Sequence, residues 1–114
     1  MRYALLIYTD EAVDAQASQP EQEATMAAYL AFGEQYKEQI GGGEALQPTS
    51  LATTVRVRDG ETLTTDGPFA ETKEQLGGFY LVTCDNLDDA IKVAAQIPGV
   101  RHGSIEVRPV MEFN

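Results

Sequence analysis

The pattern of apolar and polar positions first predicts a strand and then a helix. Residues 3–9 form a compact, β-prone apolar run that ends at the acidic Asp10, so we predict a strand here. A helix start follows, because Ser18 can cap the first turn and Glu21 can return the hydrogen bond. The apolar positions beyond it recur at helical spacing, which predicts that one face of this helix packs on a core. Those positions are Met26, Tyr29, Leu30, Gly33, Tyr36 and Ile40.

The middle of the chain predicts a β-hairpin. The glycines at 41–43 are expected to end the first helix, since glycine readily adopts the left-handed conformation of a helix C-terminus. Residues 51–58 then alternate apolar and polar positions, and the Asp59-Gly60 pair is typical of a two-residue hairpin turn. That turn sets a register in which Arg58 faces Glu61 and Arg56 faces Leu63 across the two strands.

The second half of the chain predicts a strand, a helix and a final strand. The strands are expected at 78–84 and 103–111, and Asn86 can cap the helix between them. The whole order indicates an α+β fold of one domain over residues 1–114. It matches a ferredoxin-like split βαβ plan with an antiparallel sheet and an inserted β-hairpin.

The predicted sheet is apolar on both faces. Strand alternation sends Leu5 and Ile7 to one side and Leu6 and Tyr8 to the other. Two helices can cover only one face of an antiparallel sheet, so the second face needs another cover. The simplest cover is the same face of a second copy, because isologous contacts are the commonest homodimer solution. We therefore predict a homodimer with face-to-face sheets, which is a dimeric α/β barrel.

Composition narrows the classes of partner. Eight basic residues against 18 acidic ones give a net charge of −10, which disfavours a nucleic-acid partner. No apolar run approaches the roughly 20 residues that cross a bilayer, and no signal peptide is visible, so a cytoplasmic location without membrane contact is expected. The single cysteine, Cys84, excludes an intrachain disulfide and is expected to pack as a small hydrophobe.

The block that begins at Asp66 is the first candidate for chemistry. Asp66 can accept hydrogen bonds from the next backbone amides, Gly67 permits a positive φ angle, and Pro68 fixes the following φ. The turn either satisfies its own carboxylate or holds that carboxylate at the mouth of a pocket as a base. Glu71, Lys73 and Glu74 follow as a charged loop, which either stays solvated or closes over a ligand.

His102 is the only histidine and the second candidate. An imidazole changes its charge near neutral pH, so His102 suits proton transfer, although it could equally cap helix carbonyls. No spacing typical of a metal site is present, so neither a metal nor a cofactor is expected. Four further side chains are candidate ligand-binding groups, with Tyr8 also open to a core or interface role: Arg56, Arg108, Glu106 and Tyr8.

Three segments of this sequence resemble the DGPF branch of the YCII-related family. They are residues 42–48, the block from Asp66 to Tyr80, and residues 101–109. The resemblance implies a ferredoxin-like fold that dimerises, and it implies association with extracytoplasmic-function sigma factors. Other proteins of YCII type carry a His-Asp acid/base pair with the histidine on the first helix, but no histidine lies between Ser18 and Ile40 here. A corresponding pair would use His102 with Asp66 or with Glu106.

Two functional hypotheses follow. In the first, the protein is a lyase or isomerase for a small organic molecule, with Asp66 as the base, His102 as the proton relay, and Arg108 or Arg56 as the anion anchor. This arrangement needs the two catalytic side chains within about 3 Å of each other or joined by one water. In the second, the protein is a non-catalytic ligand-sensing or interaction module whose partner is a sigma factor. A purely structural dimer, with the Asp66 block as a turn only, is the third alternative.

Overall fold

Six strands and three helices make up the chain, as seen in a computed structural model that describes residues 1–113. Two short 3-10 turns, Thr49–Leu51 and Pro98–Arg101, lie in the connections. The strands are β1 (Arg2–Thr9), β2 (Ile40–Ala45), β3 (Thr53–Arg58), β4 (Glu61–Asp66), β5 (Gln75–Thr83) and β6 (Ser104–Pro109). The helices are α1 (Glu11–Asp14), α2 (Gln19–Gln35) and α3 (Leu87–Ala94).

The main sheet has four strands in the order β2-β5-β1-β6, and all its neighbours are antiparallel. The hairpin β3–β4 forms a separate two-stranded sheet. The α+β, ferredoxin-like prediction is therefore confirmed, with the hairpin inserted between β2 and β5. The helix α1, which Asp10 caps through its side chain, was not predicted from the sequence.

Local capping explains where the two long helices begin. The Ser18 hydroxyl accepts a hydrogen bond from the Glu21 amide at 3.3 Å, and the Glu21 carboxylate accepts one from the Ser18 amide at 3.2 Å. These bonds to Ser18 hold the pKa of Glu21 below its ordinary value. At α3, the Asn86 side chain accepts a hydrogen bond from the Asp89 amide at 2.9 Å. Both predicted helix starts are confirmed, because each depends only on neighbouring residues.

The predicted buried stripe of α2 is only partly right. Tyr29 and Tyr36 pack on the core and flank Phe32, which is buried, while Met26 and Leu30 are exposed. The steps of three and four residues between Tyr29, Phe32 and Tyr36 keep them on one face. The prediction wrongly included Met26 and Leu30, because the spacing of apolar residues does not show which face of a helix meets the sheet.

The glycines at 41–43 do not end α2, which stops at Gln35; they form half of the edge strand β2. Gly43 has a φ of +153°, and a Cβ atom there would lie 2.5 Å from the carbonyl oxygen of Phe79. Glycine thus lets β2 approach β5 closely at this point. The prediction was wrong because glycine is a common helix terminator and no side chain marks this strand.

The core lies between one face of the main sheet and the two long helices. Its sheet side comprises Tyr3, Leu5, Ile7 and Val82, and its other buried residues are Phe32, Cys84, Ala90, Val93, Ala94 and Ile97. The opposite side of the sheet is the open face, because no helix covers it in the chain described. The open face carries Ala4, Leu6, Tyr8, Phe79 and Leu81, all partly exposed.

The hairpin β3–β4, residues 53–66, forms an arm. Arg58 faces Glu61 and Arg56 faces Leu63 as predicted, and the turn has positive φ angles at Asp59 and Gly60. Beyond their own pairing, the two strands make at most sparse contact with other elements. The chain is correspondingly flat, with extents of 47 × 47 × 18 Å.

Candidate functional site

A cleft of about 330 Å³ lies beside the Asp66 block. Its walls come from the 3-10 turn after β2, the loop after β4, and the first residue of β5. Its lining mixes hydroxyl, carboxylate, amide and small apolar groups. The cleft is lined by Thr49, Ser50, Gly67, Pro68, Ala70, Glu71, Thr72 and Gln75.

Hydrogen bonds to Glu11 fix one wall of this cleft. The Glu11 carboxylate accepts from the Thr49 amide at 2.9 Å and from the Thr49 hydroxyl at 2.7 Å. The Glu11 amide in turn donates to the side-chain oxygen of Gln75 at 2.9 Å. The short helix α1 thus ties the 3-10 turn to the start of β5. Sequence analysis missed Glu11, since its partner Thr49 is 38 residues away in the chain.

Asp66 is the last residue of β4, at the base of the arm, and it is exposed. Gly67 next to it has a φ of +97°, as a glycine-dependent turn requires. The Gly67 amide donates to the Ala52 carbonyl at 2.7 Å, and the Thr54 hydroxyl donates to the Gly67 carbonyl at 2.8 Å. Within residues 1–113 the Asp66 carboxylate accepts no hydrogen bond. Asp66 therefore adjoins the cleft without lining it.

His102 lies elsewhere, directly after the 3-10 turn that follows α3, and it is exposed. Its imidazole is near enough to the start of α2 to lower the pKa of Glu21, as a small addition to the two bonds from Ser18. No hydrogen bond joins His102 to Asp66 or to Glu106 in the part of the chain that is described. The structure thus leaves the predicted relay unassembled in a single chain.

Three other predicted residues do come together, on the open face. Within the sheet, Leu6 faces Glu106 and Ala4 faces Arg108, while Tyr8 faces the residue two positions before Glu106. Residues that face each other across antiparallel strands share a side of the sheet. Tyr8, Glu106 and Arg108 are therefore neighbours on the open face, and we call them the open-face trio.

An ion pair organises the open-face trio. The Arg108 Nε donates to Glu106 Oε2 at 3.0 Å, and a second guanidinium nitrogen contacts the same oxygen. The pair raises the pKa of Arg108, mainly through the hydrogen bond to Glu106 and then through its charge, and Tyr8 contributes less. The side chains of Arg108 and Glu106 are 65% and 41% exposed in the single chain, so the pair itself adds little stability there. Within residues 1–113, the other N–H groups of the Arg108 guanidinium make no hydrogen bond, and such groups can bind an anion.

Two further residues extend this group: Ser104, which sequence analysis did not select, and Glu74, which it placed in a charged loop. The Ser104 hydroxyl donates to the Glu74 carboxylate at 3.0 Å, which joins the charged loop of the Asp66 block to the edge of the open face. Ser104 faces Tyr8 in the sheet. The alternation of β6 could have placed Ser104 with Glu106 and Arg108, but nothing local predicts that Glu74 reaches them. Arg56, by contrast, lies on the arm in the other sheet.

Cys84 packs in the core, with 7% of its surface exposed. Burial, and then the charges of Asp89 and Asp85, raise the pKa of its thiol. A protonated, buried thiol is a poor nucleophile, so the packing role predicted for it is confirmed. Among residues 1–113 no three side chains of the histidine, cysteine or carboxylate types cluster as metal ligands would.

The comparisons with known proteins now identify the family. The model of the YCII-related domain matches residues 1–114. The chain belongs to the YCII-related family. An uncharacterised protein of Rhizobium meliloti (strain 1021) is 45% identical to this YCII-related chain, over 96% of the chain and 92% of that protein.

A solved structure supports the fold. It is 5-chloro-2-hydroxyhydroquinone dehydrochlorinase from Burkholderia phenoliruptrix AC1100, in complex with 2,5-dihydroxybenzoquinone. The TM-score is 0.57 at 16% sequence identity, with 99% of this chain and 96% of that one covered. At this identity the likeness establishes the fold.

None of the helices described in residues 1–113 is both long enough and apolar enough to cross a membrane.

Proposed function

We propose that this YCII-related protein is a homodimeric enzyme that binds a small organic anion on the open face and transfers a proton on it, as a lyase or isomerase. The open-face trio is the observation that carries the proposal. It places a cation, a carboxylate and a phenol on one apolar surface that a second copy would close from water. Closure strengthens electrostatic contacts, because water no longer screens them.

Each member of the trio has a distinct part in this proposal. The Arg108 guanidinium anchors the anion, since it offers planar donors to a carboxylate or enolate oxygen. Glu106 is the base that removes a proton from carbon, and Tyr8 donates a hydrogen bond to the oxygen on which charge develops. The proton then returns at another carbon in an isomerase, or the electron pair expels a leaving group in a lyase.

Asp66 and His102 remain the competing assignment of base and relay. The Asp66 carboxylate and the His102 imidazole are both exposed, and the charged loop between 71 and 74 runs from the cleft to Ser104 at the edge of the open face. In this version the anion anchor is either Arg108 or Arg56. The two assignments predict different sets of damaging variants.

Ligand titration of five variants and one control separates these assignments; the five are Arg108→Gln, Glu106→Gln, Tyr8→Phe, Asp66→Asn and His102→Gln. Isothermal titration and thermal shifts start with 2,5-dihydroxybenzoquinone and continue through small carboxylates and ring anions. Arg108→Gln should weaken binding about 10- to 100-fold, as expected for a lost charged hydrogen bond. Glu106→Gln and Tyr8→Phe should abolish turnover and leave most binding intact. Lys37→Gln is the control, because Lys37 lies just after α2 and its exposed side chain pairs only with the exposed Glu34.

Two outcomes would change the proposal. Turnover that survives Glu106→Gln and disappears in both Asp66→Asn and His102→Gln would transfer the acid/base role to that pair. A wild-type protein that binds none of these anions, together with unchanged thermal shifts for all five variants, would contradict an enzymatic open face.

A non-catalytic module that binds a sigma factor is the second candidate function. The surface features that favour it are the exposed valines of the arm and the net charge of −10, which suits a basic partner. A purified extracytoplasmic-function sigma factor should then bind with an affinity that falls as salt rises. Absence of binding at low salt would exclude this candidate.

A further inference from the structure

We infer that the cleft beside the Asp66 block binds a small primary amine, as its ammonium ion, that also carries a hydroxyl group. The cleft is separate from the open-face site, since its lining among residues 1–113 includes no member of the open-face trio. Its volume of about 330 Å³ is at the lower end of the range for small-molecule sites. The ligand is therefore a molecule of few atoms.

Hydrogen bonds within the chain hold the walls of the cleft in place. Glu11 joins Thr49 on the 3-10 turn to Gln75 at the start of β5. On another wall, the Gly67 amide donates to the Ala52 carbonyl at 2.7 Å. None of these bonds needs a ligand, so the cleft exists before binding, and the cost of ordering it on binding is small.

The threonine hydroxyls of the lining can only accept hydrogen bonds from a ligand. Thr49 donates its hydroxyl proton to the Glu11 carboxylate at 2.7 Å. Thr72 donates its hydroxyl proton to the backbone carbonyl of Glu74. A hydroxyl has one proton and two lone pairs, so these two oxygens have only lone pairs left. A ligand that matches them carries N–H or O–H groups.

Glu71 adds a negative charge to this lining. Its side chain is exposed, and the ion pairs found in residues 1–113 involve neither Glu71 nor its neighbour Lys73, which does not line the cleft. A hydrogen bond from a cation to a carboxylate is stronger than one between neutral groups, and an ammonium ion offers three N–H donors. The net charge of −10 also favours a cation over an anion.

The remaining lining residues define the rest of the ligand. The Ser50 hydroxyl makes no hydrogen bond in the part of the chain that is described, so it can donate to and accept from a hydroxyl group. Pro68 and Ala70 offer apolar contact to a short carbon chain between the two polar groups. The ligand class is therefore the amino alcohols, of which ethanolamine is a small member.

Ethanolamine and three analogues test this inference by NMR. Ethylene glycol replaces the ammonium group with a hydroxyl, glycolate replaces it with a carboxylate, and ethylamine lacks the hydroxyl. At neutral pH and constant ionic strength, ethanolamine should shift the amide signals of residues 49–50 and 67–75 saturably. Its Kd should be at least about tenfold lower than that of ethylene glycol, because a charged hydrogen bond is formed. Glycolate should not bind.

Two variants and a control locate the ligand in the cleft. Glu71→Gln should raise the Kd of ethanolamine about 10- to 100-fold, because the charged hydrogen bond is lost. Ser50→Ala should raise it about 3- to 10-fold and leave the Kd of ethylamine unchanged. Glu61→Gln, the control, removes the same charge from another exposed glutamate at the other end of β4 from Asp66. Over that distance, about 17 Å, salt screens the charge, so the Kd should change less than about threefold.

Four results would overturn the inference. Potassium chloride could produce the same amide shifts, which would mean that any monovalent cation causes them. Ethanolamine could give no saturable shift up to about 100 mM, which is weak even for so small a ligand. Glu71→Gln could leave the Kd of ethanolamine unchanged. Ser50→Ala could affect ethanolamine and ethylamine equally, which would exclude recognition of the hydroxyl. Each result leaves the proposal for the open face untouched, because that site uses other residues.

Discussion

The two faces of the main sheet have similar apolar content and opposite surroundings. On the helix-covered face, Leu5 is 0% exposed and Tyr3 is 2% exposed. On the open face, their neighbours Ala4 and Leu6 remain partly exposed, although they belong to the same strand. The covered face stabilises the single chain, whereas the open face can lower the free energy only through an assembly or a ligand. The contrast therefore separates residues that stabilise the single chain from residues to which we assign a function by proposal.

Truncation of neighbouring leucines gives the largest expected effect. Leu5→Ala should lower the free energy of unfolding by about 2–5 kcal/mol, because it opens a cavity in the core. Leu6→Ala removes the same atoms from the open face and should cost the single chain less than about 1 kcal/mol. Chemical denaturation at protein concentrations far below the dimer dissociation constant measures both values.

The same two variants can contradict this contrast between the covered face and the open face. If Leu6→Ala is as destabilising as Leu5→Ala in the dilute protein, the open face must be packed within one chain. A cost for Leu6→Ala that grows with protein concentration would instead support its burial between copies.

Glycine substitutions in β2 should give a smaller effect, and they test how closely this edge strand pairs with β5. Gly43→Ala should cost about 1–3 kcal/mol, because its positive φ and the Phe79 carbonyl both oppose a Cβ atom. Gly41→Ala is the matched control, since a Cβ atom there meets only ordinary contact with the Leu81 carbonyl, at 3.9 Å. Thermal unfolding followed by circular dichroism compares the two. Equal melting temperatures would show that β2 is not tightly paired at Gly43.

A rise to alkaline pH should give the smallest effect on the free energy of unfolding. This effect depends on titratable groups on the helix-covered side of the sheet. Burial raises the pKa of Tyr29 and of Tyr80 above 10.0, and that of Cys84 above 9.0. The folded chain then holds these protons more tightly than the unfolded chain does. The contribution of these three groups to the free energy of unfolding is complete below their ordinary pKa values and is lost as pH rises through the raised ones.

The measurement for this prediction is the free energy of unfolding against pH. It should not change with pH through these groups below about pH 8, where their contribution is complete, and should fall as pH passes the ordinary thiol and phenol values. Tyr29→Phe should make the fall shallower, because it removes one of the titrating groups. An unchanged slope in Tyr29→Phe would mean that the Tyr29 hydroxyl is solvated in the folded protein.

The sequence by itself determined the features that depend on near neighbours. Capping at Ser18 and Asn86, the hairpin register at Asp59-Gly60, and the two apolar faces of β1 were all predicted correctly. Each depends on hydrogen bonds or side-chain alternation within a few residues. The same reasoning predicted the α+β class, since the order of elements restricts how one sheet and two helices can pack.

Only the tertiary structure decided which residues meet. It turned the glycines at 41–43 into a strand, chose the face of α2 that packs on the sheet, and grouped Tyr8 with Glu106 and Arg108. It also left Asp66 and His102 without a mutual bond in the described chain. These outcomes depend on pairing between segments distant in sequence, where the free energy of burial and strand contact outweighs local preference. Periodicity and turn chemistry carry no information about such partners.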